Sequence, residues 1–194
     1  MIRSPNGLPG QKLFTMNLTL IGYRATGKST LARLLAERLD WDWIDADVEI
    51  ERVAGKTVAE IFAEDGEPLF RDIEARVIAD LTGRPKLVIA AGGGAALREE
   101  SRKAMRESGR VVWLQASAET IHARMTGDAT TATRRPSLTD RGPLDEILHV
   151  MSAREPIYRA TAHVVIDTEG KAPDSLVDEI LSQVDVNGTP GAGT

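Results

Sequence analysis

Eight residues constrain this chain more than any others. Gly22-Tyr23-Arg24-Ala25-Thr26-Gly27-Lys28-Ser29 fits the pattern G-x-x-x-x-G-K-[ST]. The apolar run 18–21 precedes it, and Leu31, Leu34, Leu35 and Leu39 follow at helical spacing. A chain of this length and composition yields only about 0.006 such matches by chance. Strand, glycine loop and helix in that order make an anion site. Backbone N–H groups of the loop and helix N-terminus point at phosphate oxygens, and the helix dipole favours negative charge there. In such a loop Lys28 reaches the β- and γ-phosphates and the Ser29 hydroxyl sits on Mg²⁺. The pattern alone is shared by GTPases, ATPases and small-molecule kinases. A guanine-specifying Asn/Thr-Lys-x-Asp segment is absent, which weighs against a GTPase.

The rest of the chain fits around that loop. Further apolar runs at 43–44, 87–91, 111–114 and 163–166 read as buried strands. Helical patterns lie over Lys28–Leu39, 57–63, 70–81, 144–158 and 174–184, and Ser117 can cap another running to about residue 125. Pro156 falls late in its helix and predicts a kink or break. Strands interleaved with helices predict an α/β fold, a five-stranded parallel sheet covered on both faces. With 194 residues the chain suits one domain, 17–184, between flexible tails at 1–16 and 185–194. The polar segment 127–143 has no apolar stripe and reads as a lid.

Composition removes several alternatives. A net charge of −5 argues against a nucleic-acid partner, and the absence of cysteine excludes disulfides, thiol nucleophiles and Cys-based metal sites. No apolar run is long enough to span a membrane, and residues 1–11 lack the apolar core of a secretory signal. The expectation is a cytoplasmic protein with no membrane partner. Arg far outnumbers Lys, which favours bidentate capture of carboxylate or phosphate.

Five groups of residues suit an acceptor site and its lid. Asp45 and Asp47 follow the strand at 43–44, at the sheet edge where α/β proteins bind ligands. On an extended segment two residues apart point the same way, so both carboxylates could address one site, one serving Mg²⁺ and the other a hydroxyl proton. The plainer reading is an acidic turn capping the next helix. Arg71 and Glu74 lie at i and i+3 on a helix; exposed, such a pair means little, but an Arg held by a Glu is a good carboxylate receptor. Gly92-Gly93-Gly94 directly follows a strand, permitting positive φ and close ligand approach, or merely a flexible turn. Arg134-Arg135-Pro136 lies in the polar segment, where an Arg could act as a finger on the transferring phosphoryl group. Arg154 is a second anion clamp or a helix-surface charge.

Taken in order, these motifs resemble the shikimate kinase family from about residue 18 to 181. The resemblance rests on the phosphate loop, Asp45-Ala46-Asp47, Phe70-Arg71-Asp72-Ile73-Glu74, Gly92-Gly93-Gly94, Arg135-Pro136-Ser137-Leu138, and Arg154 with Tyr158-Arg159. It implies a P-loop kinase fold and ATP-dependent phosphorylation of the shikimate 3-hydroxyl, in aromatic amino acid biosynthesis, by a monomer using Mg²⁺. By position it implies that Arg24, Ala25, Thr26, Gly27, Lys28, Ser29, Thr30 and Arg135 bind ATP. Ser29 and Asp45 would serve the metal. Asp47, Arg71, Gly93, Gly94 and Arg154 would bind shikimate, with Asp47, Lys28 and Arg135 catalytic. Ala25 and Thr26 stand where the family commonly has another glycine, predicting a tighter loop. Met125 stands where a basic residue stacks on adenine, leaving Arg124 beside it as a poor substitute. The rivals are a kinase of another small hydroxy acid, such as gluconate, and a non-catalytic module sensing ATP and shikimate-like ligands.

Overall fold

The structure, a computed structural model, describes residues 16–127 and 142–185. Most of the polar segment, including Arg134, Arg135, Pro136, Ser137 and Leu138, lies outside the described residues, as do 1–15 and 186–194. Five strands, β1 Asn17–Ile21, β2 Asp42–Asp45, β3 Leu87–Ala90, β4 Gly109–Gln115 and β5 Val164–Asp167, form one sheet. All pairings are parallel and the order is β2-β3-β1-β4-β5.

Alternation along each strand explains why helices cover both faces. Leu18, Leu20, Val88, Ala90, Val112 and Leu114 turn to one side, against Leu31 and Leu35 of α1 (Lys28–Leu39) and Leu176 and Ile180 of the C-terminal helix Pro173–Gln183. Their strand neighbours Ile21, Leu87, Ile89, Val111 and Trp113 turn to the other side. There they meet α2 (Ala46–Ala54), α4 (Gly66–Thr82) and α5 (Glu99–Ser108), through Ile50, Phe70, Ile78, Leu81 and Met105. Each large side chain buried this way contributes about 1.5–3 kcal/mol, so neither helix layer is dispensable. A third cluster joins Tyr23 of the glycine loop to Ile121 of α6 (Ala118–Gly127) and to Ile147 and Val150 of α7 (Pro143–Thr161). It ties the loop to the two helices flanking 128–141. No helix among the described residues is long and apolar enough to cross a membrane.

The strands and most helices fall where the periodicity predicts, with four differences. Pro156 does not break α7, which continues to Thr161. Pro156 and Ser152, the residue whose carbonyl loses its partner, both face water, so solvent satisfies the freed group. The predicted helix 57–63 is divided: Val58–Glu60 (α3) carries a capping box from Thr57 and Glu60, and a π-helical turn, Ile61–Asp65, leads to Gly66. Helices α2 and α5 lie where no helix is predicted, α2 because it is short and directly follows a strand, α5 because it has almost no apolar residues. The sequence of α5 is EESRKAMRES, and it buries only Ser101, Met105 and Ser108. With α2 and α5 numbered in chain order, the C-terminal helix Pro173–Gln183 is α8.

Candidate active site

The loop 22–29 leaves the carboxyl end of the central strand β1 and opens α1. Three of its residues take positive φ, Gly22 at 140°, Ala25 at 60° and Gly27 at 92°, which curls the chain tightly. Ala25 holds this conformation despite its methyl group, and the buried Thr26 hydroxyl closes the turn by donating to the Tyr23 carbonyl at 2.8 Å. The loop is therefore braced by Thr26 where a glycine would have left it free. Lys28 Nζ folds over the same turn, donating to the carbonyls of Gly22 (3.0 Å) and Tyr23 (2.6 Å).

Asp45 closes the neighbouring corner. It is the last residue of β2 and the N-cap of α2, its Oδ1 accepting from the Asp47 amide at 2.9 Å. Its Oδ2 accepts from the Ser29 hydroxyl. The helix starts at Ala46, so Asp45 and Asp47 do not share an extended segment. The alternation argument for two carboxylates facing one way fails here: Asp45 caps and meets Ser29, while the half-buried Asp47 lies in the first helical turn. The capping reading and the metal reading of Asp45 are thus compatible, because one oxygen serves each.

Arg71 is buried on α4 between two glutamates. Nη1 donates to Glu74 Oε2 at 2.6 Å, and Nε and Nη2 donate to Glu67 Oε1 at 3.1 and 2.8 Å. Burial alone would favour losing its proton, but the charges and hydrogen bonds of Glu74 and Glu67 overcome that and raise its pKa. Glu74 is 3% exposed whereas Glu67 is 53% exposed, so one partner is fixed and the other can give way. The glycine turn fits around this group. A β-carbon on Gly94 would lie 2.0 Å from Arg71 Nη1. None of Gly92, Gly93 and Gly94 has a positive φ, so these glycines serve close approach rather than left-handed backbone.

On the other side of the turn, Arg154 Nη1 donates to the Gly93 carbonyl at 2.9 Å, and the Tyr158 hydroxyl donates to the same oxygen. Tyr158 packs on Trp113, ring centroids 5.7 Å apart, and burial holds its hydroxyl pKa above the usual value. A β-carbon on Gly93 would lie 3.5 Å from the Gly22 carbonyl oxygen, 3.6 Å from Arg154 Nη1 and 3.7 Å from the Arg24 amide nitrogen. The glycine turn therefore joins the phosphate loop to two arginines from different helices.

The structure thus brings Gly22, Arg24, Gly93, Gly94, Arg71 and Arg154 together, and Ser29 to Asp45. Arg135 lies outside the described residues. Arg124 is drawn under the loop, donating to Ala25 O (3.4 Å) and to Thr168 Oγ1 (3.3 Å) and O (3.2 Å). Sequence reasoning missed Glu67 and Glu146. Glu67 had a local signal, four residues before Arg71; Glu146, which pairs with Arg24 across 122 residues, had none.

The family model described as shikimate kinase matches residues 24–185. The chain belongs to the shikimate kinase family. It is 50% identical over 165 residues to a shikimate kinase of Rhodopirellula baltica, covering 85% of this chain and 88% of that protein. With a shikimate kinase of Symbiobacterium thermophilum it shares 42% identity, over 91% of this chain and 100% of the relative. Among solved structures it resembles the shikimate kinase from Acinetobacter baumannii in complex with shikimate, with a TM-score of 0.81 and 36% identity over 87% of this chain and 92% of that one.

Proposed function

We infer that this chain transfers the γ-phosphoryl group of ATP to the 3-hydroxyl of shikimate, giving shikimate 3-phosphate and ADP. The observation that carries the reading is the junction at Gly93, where a phosphate loop and an arginine suited to a carboxylate meet on one turn. The backbone amides of Arg24, Ala25, Thr26 and Gly27, with Lys28, Ser29 and Thr30, take the ATP phosphates. A phosphate oxygen makes a stronger, charge-assisted acceptor for Lys28 than the carbonyls of Gly22 and Tyr23, so the lysine moves to it readily. Arg71 and Arg154 bind the acid. The exposed Glu67 yields to the incoming carboxylate while the buried Glu74 keeps the guanidinium aimed, and Gly93 and Gly94 leave room beside it.

Ser29 and Asp45 offer hard oxygen donors side by side, which fits Mg²⁺, an ion that keeps its remaining positions for water and phosphate oxygens. These two residues would hold it, and when bound it neutralises charge on the phosphates. Asp47 orients the acceptor hydroxyl and takes its proton during transfer. Arg135, outside the described residues, supplies a further cation to the moving group.

A coupled ADP-release assay with Mg·ATP tests the reading directly. Shikimate-dependent ADP release is expected. Release with gluconate instead would keep the kinase and move the acceptor. ATP binding without release on any acid would favour a sensor.

A further inference from the structure

The phosphate contacts above use the backbone of Arg24 and leave its side chain unexplained. Its guanidinium turns away from the loop: Nη2 donates to Glu146 Oε1 at 3.1 Å, with the Tyr23 ring 5.6 Å beneath it. Glu146 is 1% exposed, in the first turn of α7. A carboxylate buried that deeply costs several kcal/mol unless a cation meets it, so this pair is a constraint on the fold and not a solvated ornament. Eight residues further along the same helix is Arg154, about 12 Å away at the helical rise. Arg154 and Tyr158 grip the Gly93 carbonyl, on the turn that abuts the Arg24 amide. Helix α7 is therefore bonded to the phosphate loop directly through Glu146, and again through the glycine turn. The same helix presents an arginine to the acid. Two ligand sites fastened to one rigid element have what energetic coupling between them requires.

We propose that Glu146 is a positioning residue that couples nucleotide and acid binding, by tying Arg24 of the phosphate loop to the helix that carries Arg154. This rests on the shikimate kinase reading. Phosphates that fix the loop fix α7 with it, and Arg154 then meets the acid already placed. Linkage makes the effect reciprocal, so the acid tightens nucleotide binding by the same factor.

Calorimetric titration of the full chain with shikimate, without and with saturating Mg·ADP, tests the coupling. In the unmodified chain Mg·ADP should lower the shikimate Kd roughly fivefold or more, the lower end of usual coupling between sites. In Glu146→Gln the ratio should fall to within roughly twofold of one, with each ligand still bound on its own. Glu146→Asp, which keeps the charge, should recover part of it. Should Glu146→Gln fail to fold because Arg24 is stranded, the double variant Arg24→Met/Glu146→Leu removes both charges together and should fold without coupling. A ratio of one in the unmodified chain overturns the proposal, as does an undiminished ratio in the variants that fold. If the unmodified chain binds no shikimate at all, the functional reading falls and takes this proposal with it.

Discussion

Two glycine-rich loops leave adjacent parallel strands at the same edge of the sheet, and Gly27 of one and Gly94 of the other are glycine for opposite reasons. In the loop 22–29, Gly27 has φ 92° and open space around it, so glycine is there for conformation. In the turn 92–94 no φ is positive, and a β-carbon on Gly94 would strike the Arg71 guanidinium, so glycine is there for space. The first loop is curled by left-handed backbone at Ala25 and Gly27. The second offers a carbonyl to Arg154 and a slot to Arg71. Similar composition thus gives one loop shaped by its own backbone and one that arranges arginines borrowed from α4 and α7.

The largest effect is expected at Lys28, to which the proposed function gives the phosphates. Lys28→Ala should lower kcat roughly 10²–10³-fold, as loss of one transition-state cation does, while shikimate still binds; steady-state kinetics with calorimetry would show both. A variant with near-normal kcat would reject the role. Gly94→Ala should do the reverse. By displacing the Arg71 guanidinium it should cut kcat/KM for shikimate by up to about 10²-fold and leave the ATP KM unchanged. Equal damage to both substrates would mean that the two loops are not separable.

Gly27→Ala sharpens the distinction on the conformational side. Nothing obstructs the new methyl, so its effect should be the left-handed backbone penalty alone, about 1–2 kcal/mol, read as a Tm lower by a few degrees. An unchanged Tm would mean that conformation is not why glycine stands there.

The smallest effect serves as a control far from both loops. His163 lies just before β5, and its Nδ1 accepts the Val111 amide at 3.0 Å. Burial, then Arg106 and Arg110, lower its pKa from 6.5 to about 4. Because the folded pKa is the lower one, the unfolded chain binds more protons between these values. Its contribution to stability is present above about pH 6.5 and is lost as pH falls towards about 4. The ring is partly open to solvent, so the loss should be on the order of 1 kcal/mol. His163→Gln should flatten that part of the denaturation-midpoint profile without altering the kinetics of either loop. An identical profile would reject the assignment.

What could be read in the sequence was what is local. The phosphate loop announces itself because strand, turn and helix are contiguous. Alternating apolar residues place the strands, and Arg71 with Glu74 pairs at helical spacing. Helix α5 escaped because its inner face is two serines and a methionine. Alternation does not mark whether Ala46 continues the strand or begins a helix, and it begins one, so Asp45 and Asp47 do not share an extended segment.

The sequence by itself determined that this chain is an α/β phosphate-binding protein, since those signals lie within a few residues of one another. Only the tertiary structure decided that Asp45 meets Ser29, that Gly94 makes room for Arg71, and that Arg154 and Tyr158 share the Gly93 carbonyl. The pair of Arg24 with Glu146 spans 122 residues. No spacing rule reaches that far. The sheet order β2-β3-β1-β4-β5 sets such meetings, because it fixes which loop ends become neighbours.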